Sequence, residues 1–461
     1  MKTIRDPAHA LATELSAIRS EFQVPEAFPA EVLAAAATVA GRAPTAHQDW
    51  TDAPFVTLDP ASAVDLDQAF CIEAAGSDLI LHYAIADVAW FVDEGGPINA
   101  EAWARGETLY LPDGKAGLYP PVLAEGAASL LPDGPRPAVV FSVRVAPDGA
   151  VKLDAATRAV IRSRAKLAYA TVQDADLPAG FAELSARIIA AEAERGAARV
   201  DPPEQEVSEG SDGRLTLSFR TRHPSEDRNA ALSLACNMAV ADALIAHGTG
   251  LFRVMAEPNE QAVRRLRHTA RAFGIEWPEQ ATLTQFERTL DPCDPKAAAL
   301  MLAIRRAGNG AGYQPFRPGE TPWHSAVAAP YAHATAPLRR LADRYVVQAA
   351  LAVTHGKPVP DHVTDAFARL PKVMARADAR ANQIDRAVID MAEAVMLAGS
   401  EGEAMGAIVT DIGERGASIQ LRDLPITARV DAAGLTPGDA LDVRLTRADP
   451  RARQIAFERM S

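Results

Sequence analysis

The stretch VTLDPASAVDLDQAF, residues 56–70, combines a predicted strand with a cluster of three aspartates. A β-like run delivers Asp59, and a short loop then returns with Asp65 and Asp67. Side chains alternate along an extended strand, so Asp65 and Asp67 point to the same side if their segment is extended. The segment therefore predicts that three carboxylates converge beside the end of a strand.

Clustered carboxylates repel one another unless a cation neutralises them, and oxygen ligands suit Mg²⁺. A bound Mg²⁺ can orient a water, stabilise a departing oxygen and screen the charge of a phosphate. Phosphodiester hydrolysis needs these three effects. The alternative is a solvated acidic loop whose Asp side chains cap turns, and the spacing alone does not separate the two hypotheses.

Hydrophobic alternation surrounds this stretch and gives way to helical spacing later in the chain. The pattern predicts strands at 55–58, 79–86 and 138–145. It predicts helices at 181–200, 226–247, 258–273, 295–307, 337–355 and 361–398. The fold class is therefore α+β, with a mixed domain that is strand-rich in its first half and helix-rich in its second half.

The pattern divides the chain into three regions. Residues 1–50 predict a small helical N-terminal region with two helices, and residues 51–400 form the mixed domain. Residues 401–461 return to five short alternating runs, which predict a small barrel of the OB type. That barrel is either an accessory RNA-contacting module or a structural cap.

Composition limits the class of protein. Apolar residues make up 48% of the chain and charged residues 23%, which is typical of globular domains. No signal peptide or uninterrupted apolar run of membrane-spanning length is evident, so we expect a cytoplasmic protein. The net charge of -13 argues against nonspecific nucleic-acid affinity, although a metal-binding carboxylate cluster adds negative charge without repelling substrate. Cys71, Cys236 and Cys293 are interpreted as small buried residues.

The quoted stretch, followed by HYAIADVAWFV at 82–92, resembles the catalytic domain of the RNase II and RNase R (RNB) family of 3′-to-5′ exoribonucleases. The resemblance extends over about 51–395 and, more weakly, through the terminal barrel. It implies single-stranded RNA as substrate, Mg²⁺ as cofactor and 5′-mononucleotides as products. No membrane or protein partner is indicated.

Two tyrosines occur where the resemblance implies RNA contacts. RGETLYLPDG at 105–114 is similar to the segment with an RNA-stacking tyrosine, here Tyr110, and AKLAYATVQ places a second functional tyrosine at Tyr169. A tyrosine ring can stack on any base, with about 1–3 kcal/mol per base. The alternative for each is a core tyrosine whose hydroxyl is hydrogen-bonded.

Two charged residues complete the predicted site. SEDRNAALSL at 225–234 resembles an acidic helix start and implies that Glu226 contacts a ribose 2′-hydroxyl, although it could equally be a helix N-terminal acid. YAHATAPLRRLADRYV at 331–346 places the phosphate-contacting arginine at Arg339, after Pro337 at a predicted helix start. The alternative for Arg339 is a surface arginine.

The resemblance is incomplete at Gln68, where the family has an aspartate that helps to hold the metal. A glutamine offers a carbonyl oxygen without charge, so Gln68 is a weaker metal ligand beside Asp59, Asp65 and Asp67. We expect catalysis to depend on Asp67 and Arg339. The first alternative is an impaired protein that binds RNA without cutting it.

The N-terminus differs as well. About 50 residues precede the catalytic region and are too few for the two cold-shock domains of RNase II, which suggests a short form of the family. RNA would then be held by the channel and the terminal barrel. The second alternative is therefore a phosphodiesterase for short oligoribonucleotides.

Overall fold

The structure is a computed structural model. It describes residues 4–5, 11–197, 205–209, 215–219, 222–291, 294–307, 310–424 and 426–460. The strands in the first half of the chain are β1 (Ile4–Arg5), β2 (Gln48–Trp50), β3 (Thr57–Asp59), β4 (Gln68–Ala75), β5 (Asp78–Ala86), β6 (Leu109–Leu111), β7 (Gly114–Ala116), β8 (Arg136–Val145), β9 (Val151–Ile161), β10 (Lys166–Ala168), β11 (Gln205–Glu209) and β12 (Leu215–Phe219). The later strands are β13 (Leu251–Met255), β14 (Ala311–Pro315), β15 (Ala404–Gly413), β16 (Gly416–Leu421), β17 (Thr427–Val430), β18 (Ala440–Asp449) and β19 (Gln454–Arg459).

The helices follow the same numbering in chain order. They are α1 (Ala12–Glu21), α2 (Ala30–Ala40), α3 (Val88–Phe91), α4 (Pro97–Arg105), α5 (Phe181–Glu194), α6 (Pro224–Ala246), α7 (Glu260–Ala272), α8 (Leu283–Glu287), α9 (Pro295–Ala307), α10 (Leu341–Thr354) and α11 (Asp361–Leu397). A π-helical turn spans Leu123–Ala127, and a 3₁₀ turn spans Asp174–Asp176.

A five-stranded sheet forms the centre of the larger domain, with the strand order β2-β9-β8-β5-β4. Its neighbours pair antiparallel except β2 and β9, which pair parallel. The middle strands β5 and β8 are mostly buried, as their continuous apolar runs predict. Fully buried aromatic residues such as Tyr83 and Phe141 anchor this core, and burial of each such side chain contributes about 1.5–3 kcal/mol.

Helix α6 packs beside this sheet. Within the described residues it alone is long and apolar enough to cross a membrane, and 61% of its most apolar window is buried. Ala231, Leu232 and Val240 from its length are part of the same hydrophobic core as the sheet. Helix α6 is therefore a core helix of this domain, and Cys236 lies on it.

The terminal strands form a nearly closed five-stranded barrel with the order β17-β16-β15-β18-β19 and its own hydrophobic core. The five predicted runs correspond to these five strands, and the predicted α+β class with an OB-like barrel is confirmed. The two predicted N-terminal helices are α1 and α2. Leu15 of α1 packs with Met391 of α11, so the N-terminal region shares a core with the larger domain.

The helix predicted at 337–355 begins later, at Leu341. Residues 337–339 form a turn, and Arg340 after them is extended, because the backbone N–H of Thr108 donates to the carbonyl of Arg339 and Arg340 forms an isolated bridge with Glu107. Arg339 therefore lies on a turn before the helix, and the predicted helix start there is wrong.

The predicted burial of the cysteines is confirmed for two of them. Cys71 and Cys236 are buried and free of disulfides, and burial raises the pKa of the Cys71 thiol to about 12. Such thiols are poor nucleophiles at neutral pH. Cys293 lies outside the described residues.

Candidate active site

The loop between β3 and β4 presents the three predicted aspartates. Asp59 is the last residue of β3, and Gln68 is the first of β4. The loop is fastened by Ser129, whose hydroxyl accepts from the Leu66 amide at 2.9 Å and donates to the Val64 carbonyl at 2.7 Å. These bonds fix the backbone on both sides of Asp65.

Asp67 connects this loop to the turn that precedes α10. Its carboxylate accepts a 2.7 Å hydrogen bond from the Leu338 amide and lies 3.4 Å from Nε of Arg339. The side chain of Asp67 is 7% exposed, whereas that of Arg339 is 45% exposed. The buried carboxylate is therefore held in place while the guanidinium remains open to an incoming anion.

The three carboxylates of the loop act on one another electrostatically. Burial raises the pKa of Asp59 to about 6 and that of Asp67 to about 7, against the lowering effect of Arg339. The charge of Asp65 contributes to the rise of the pKa of each. Desolvated carboxylates that repel one another favour a bound cation, which restores their charged forms.

Asp65 already has a cationic partner. Nζ of Lys115 lies 2.9 Å from Oδ1 of Asp65 and 2.9 Å from Oε1 of Glu125. Burial lowers the pKa of this ammonium, but the hydrogen bonds to Asp65 and Glu125 outweigh that effect and raise it above the usual lysine value. A lysine thus neutralises one of the predicted metal ligands.

Gln68, predicted as a metal ligand, forms hydrogen bonds within the protein, and its role at a metal stays a prediction. Its Nε2 donates to the carbonyl of Thr335 at 2.5 Å, and its Oε1 accepts from the hydroxyl of Tyr83 at 2.8 Å. The Ser233 hydroxyl lies 3.4 Å from the same oxygen. Both ends of the amide are used within the protein, so Gln68 joins β4 to the segment before α10.

Tyr169 lies beside Asp59. Strand β10 pairs parallel with β3, and the backbone N–H of Tyr169 donates to the Asp59 carbonyl at 3.2 Å. The Tyr169 hydroxyl accepts from Nδ2 of Asn229 at 2.9 Å, and its carbonyl accepts from the Ser225 hydroxyl at 2.9 Å. The ring is half-buried and firmly oriented at the edge of the site.

Tyr110 lies on the hairpin of β6 and β7, where its cross-strand partner is Lys115. Burial raises the pKa of the Tyr110 hydroxyl above its usual value, and the charges of Arg339, Asp65 and Asp67 also act on it. This half-buried tyrosine therefore lies within electrostatic reach of the acidic loop. Directly opposed residues of an antiparallel pair project to the same face, so Tyr110 and Lys115 share a side of the hairpin.

Glu226 lies near Tyr169, whose pKa it influences, but its carboxylate also has a structural task. Oε1 accepts from the backbone N–H of His223 at 3.0 Å and completes a capping box at the start of α6. Such a box satisfies amide donors that a helix leaves unpaired. Glu226 is thus a helix N-terminal acid, which was the alternative interpretation. Its contact with a ribose 2′-hydroxyl stays a prediction.

The donor set fits Mg²⁺ only in the open manner typical of this ion. Among the described residues, no group of three His, Cys, Asp or Glu side chains is arranged to hold a metal. Mg²⁺ is commonly bound by one or two carboxylates, with substrate phosphate and water completing the shell. The half-buried Asp59 and the buried Asp67 match that requirement, while Asp65 is paired with Lys115.

Sequence reasoning missed Lys115, Glu125 and Thr335. The hairpin signal was present, because LYL and GKA are separated by the turn residues Pro112 and Asp113, which predicts Tyr110 opposite Lys115. No comparable local signal marks Thr335, which reaches Gln68 from 267 positions away. The structure brings the seven predicted site residues with charged or aromatic side chains into one region, and their individual roles stay predictions.

Comparison with protein-family models finds two matches. Residues 47–355 match the RNB domain, and residues 403–460 match the C-terminal S1 domain of RNase II-type exonucleases. Two proteins named Ribonuclease R are similar in sequence. The Aquifex aeolicus protein is 26% identical over 450 residues, covering 92% of this chain and 63% of that protein. The Escherichia coli protein is 25% identical over 444 residues, covering 89% and 54%.

Among solved structures, RNase R of Mycoplasma genitalium in complex with ribose-methylated single-stranded RNA matches with a TM-score of 0.82. It is 19% identical and covers 97% of this chain and 78% of that chain, which shows a shared fold. The present chain spans between about half and two thirds of the length of the curated relatives named above. Because the RNB model matches well over half of its residues, the chain belongs to the RNB-domain family, with an RNase II-type S1 domain at 403–460.

Proposed function

We propose that this protein hydrolyses single-stranded RNA from its 3′ end and releases 5′-mononucleotides with the help of Mg²⁺. The observation that carries the proposal is the junction of Asp67 with Leu338 and Arg339, where a buried carboxylate and an open guanidinium lie side by side. Family membership and the names of the relatives support an exoribonuclease activity.

Asp59 and Asp67 would hold the metal and orient the attacking water. When bound, Mg²⁺ supplies charge neutralisation at the phosphate and a water that is easier to deprotonate. The Leu338 amide fixes one oxygen of Asp67, so that its carboxylate cannot rotate away from the site. A fixed geometry of this kind removes the entropy cost of assembling the reacting groups.

Arg339 would stabilise the charge on the phosphate under attack. The water oxygen bonds to phosphorus, and the bond to the 3′-oxygen of the preceding nucleotide breaks. The released nucleotide keeps its 5′-phosphate, and the shortened RNA ends in a 3′-hydroxyl. An exposed guanidinium suits this role because its planar N–H groups match two phosphate oxygens at once.

Tyr110 and Tyr169 would hold the terminal nucleotides by stacking. Their rings approach the acidic loop from β6 and from the end of β10, and both are half-buried. Stacking tolerates any base, so it suits an enzyme that digests RNA without regard to sequence. The complex of the M. genitalium relative with single-stranded RNA supports RNA of this kind as the ligand.

Polarity and product are tested with one RNA labelled at either end. With Mg²⁺, we expect the 3′ label to appear at once in a mononucleotide, whereas the 5′ label moves through a ladder of shortening chains. Chelation of the metal should stop both changes. Early release of the 5′ label, or internal fragments, would contradict the proposed direction. Cutting confined to RNAs of a few nucleotides would instead make short oligonucleotides the substrate.

A further inference from the structure

Lys115 is a cation that forms an ion pair with Asp65 of the acidic loop and that the proposed reaction does not use. Its side chain is 26% exposed and bridges Asp65 and Glu125, with 2.9 Å to each. The two carboxylates are 19% and 31% exposed. A half-exposed ammonium held from two sides is oriented but still accessible to a ligand.

The neighbours of Lys115 place it on the expected path of the RNA. It stands opposite Tyr110 in the register of β6 and β7, so the stacking ring and the ammonium project from the same face. A base stacked on Tyr110 carries its phosphate a few ångströms away. A cation beside such a ring is suited to that phosphate.

Hydrogen bonds on both sides of Asp65 hold its backbone next to Lys115. Ser129 holds the backbone at Val64 and Leu66, and the Leu130 amide donates to the Leu66 carbonyl at 2.9 Å. Glu125 lies a few residues before Ser129, on the same segment. Both carboxylate partners of Lys115 are therefore carried by one braced unit, and the flexible lysine side chain is the adjustable part.

Charge at the site is consistent with this arrangement. Gln68 adds no negative charge, and its amide is used by Thr335 and Tyr83. Lys115 neutralises the carboxylate of Asp65, which is then less available as a metal ligand. Asp59 and Asp67 then remain as the carboxylates for a metal, which is the number that Mg²⁺ commonly uses.

We propose that Lys115 is a resident cation of the active site, which neutralises Asp65 in place of a metal contact and binds an RNA phosphate beside Tyr110. The inference deepens the proposed function and rests on it, because it assigns a substrate-binding residue to the same site. Lys115 competes with Mg²⁺ for Asp65 and adds one phosphate contact.

Metal binding is tested first, without RNA, by titration calorimetry of the full chain with MgCl₂. Lys115→Met frees Asp65, so we expect Mg²⁺ to bind about tenfold more tightly, since a nearby positive charge repels the ion. Glu125→Gln leaves Lys115 paired with Asp65 alone and should weaken Mg²⁺ binding by about threefold. Equal affinities for all three proteins, or weaker binding by Lys115→Met, would overturn the proposed competition.

RNA binding is tested second, with chelator present so that no RNA is cut, by fluorescence anisotropy over a series of salt concentrations. Loss of one phosphate contact lowers the slope of log K against log[salt] by about 0.7 for single strands. We expect that loss for Lys115→Met, no change for Lys115→Arg, and no change for Lys357→Met, which alters an exposed lysine after α10. An unchanged slope for Lys115→Met would overturn the phosphate contact.

The two readouts separate this inference from the proposed function. If no protein of the series binds Mg²⁺ without RNA, the proposed competition for Asp65 is overturned, whereas the salt slope still decides whether Lys115 binds a phosphate. The proposed function is decided separately, by RNA shortening with and without chelator. If Lys115→Met folds poorly by circular dichroism, Glu125→Gln keeps the lysine and still tests the competition through its opposite effect.

Discussion

The backbone amide of Leu338 donates a 2.7 Å hydrogen bond to the carboxylate of Asp67, which lies 271 positions earlier in the chain. This single contact joins the acidic loop to the turn that carries Arg339. The candidate site forms because the fold brings these two segments, far apart in the sequence, into contact.

The first prediction concerns Arg339. Replacement by Gln removes the guanidinium beside Asp67 but leaves the Leu338 amide in place, so the fold should persist. We expect the rate of RNA shortening to fall by about 10²–10³-fold, as for other groups that stabilise transition-state charge. Single-turnover kinetics measures this effect. A rate within a factor of two of the unmodified protein would show that Arg339 is only a surface residue.

The second prediction concerns Gln68. Gln68→Glu replaces the donor to the Thr335 carbonyl with a second acceptor, so we expect the free energy of unfolding to fall by about 1–3 kcal/mol. Urea unfolding measures the change. Gln383→Glu alters an exposed glutamine on α11 and should change it by less than about 0.5 kcal/mol. Equal effects of the two variants would contradict the structural role of Gln68.

Gln68 also bears on the alternative of an RNA-binding protein that does not cut. Gln68→Asp restores the charge found in the family but loses the same donor to Thr335. We therefore expect no faster cutting by Gln68→Asp. Cutting by this variant but not by the unmodified protein would support the non-catalytic alternative.

What the sequence could predict follows from the range of each contact. The strands that flank the acidic loop were predictable because apolar strand patterns act over a few residues. The terminal barrel was predictable for the same reason. The bond of Gln68 to Thr335 was not, because no local pattern specifies which distant carbonyl will face an amide. The extended backbone at Arg340 was likewise hidden, since it depends on pairing with Glu107.

The third prediction concerns pH and follows from the raised pKa values of Asp59, about 6, and Asp67, about 7. These values exceed those of unfolded carboxyls, so the folded chain binds more protons and its stability falls as pH rises between about 4 and 7. Mg²⁺ binds the ionised forms and offsets this loss. We expect the rise in Tm on adding MgCl₂ to be larger at pH 8 than at pH 5.5. The same rise at both values would contradict the raised pKa values.

The fourth prediction concerns Tyr110. Tyr110→Ala removes the ring beside the acidic loop and should weaken binding of a short single-stranded RNA by about 1–3 kcal/mol. Tyr110→Phe keeps the ring and should bind as the unmodified protein does. Anisotropy with chelator present compares the three proteins. Equal weakening by both variants would assign the effect to the hydroxyl and contradict stacking.

Asp67→Asn tests whether this site cuts RNA with a metal that carboxylates hold. An asparagine oxygen can still accept from the Leu338 amide, so the fold should be kept while the charge is lost. Asp365→Asn, at an exposed position on α11, is the matched control. We measure the shortening of 5′-labelled single-stranded RNA with Mg²⁺. We expect a ladder from the unmodified protein and the control, with a rate at least about 100-fold lower for Asp67→Asn. A ladder of equal rate from Asp67→Asn would contradict this expectation.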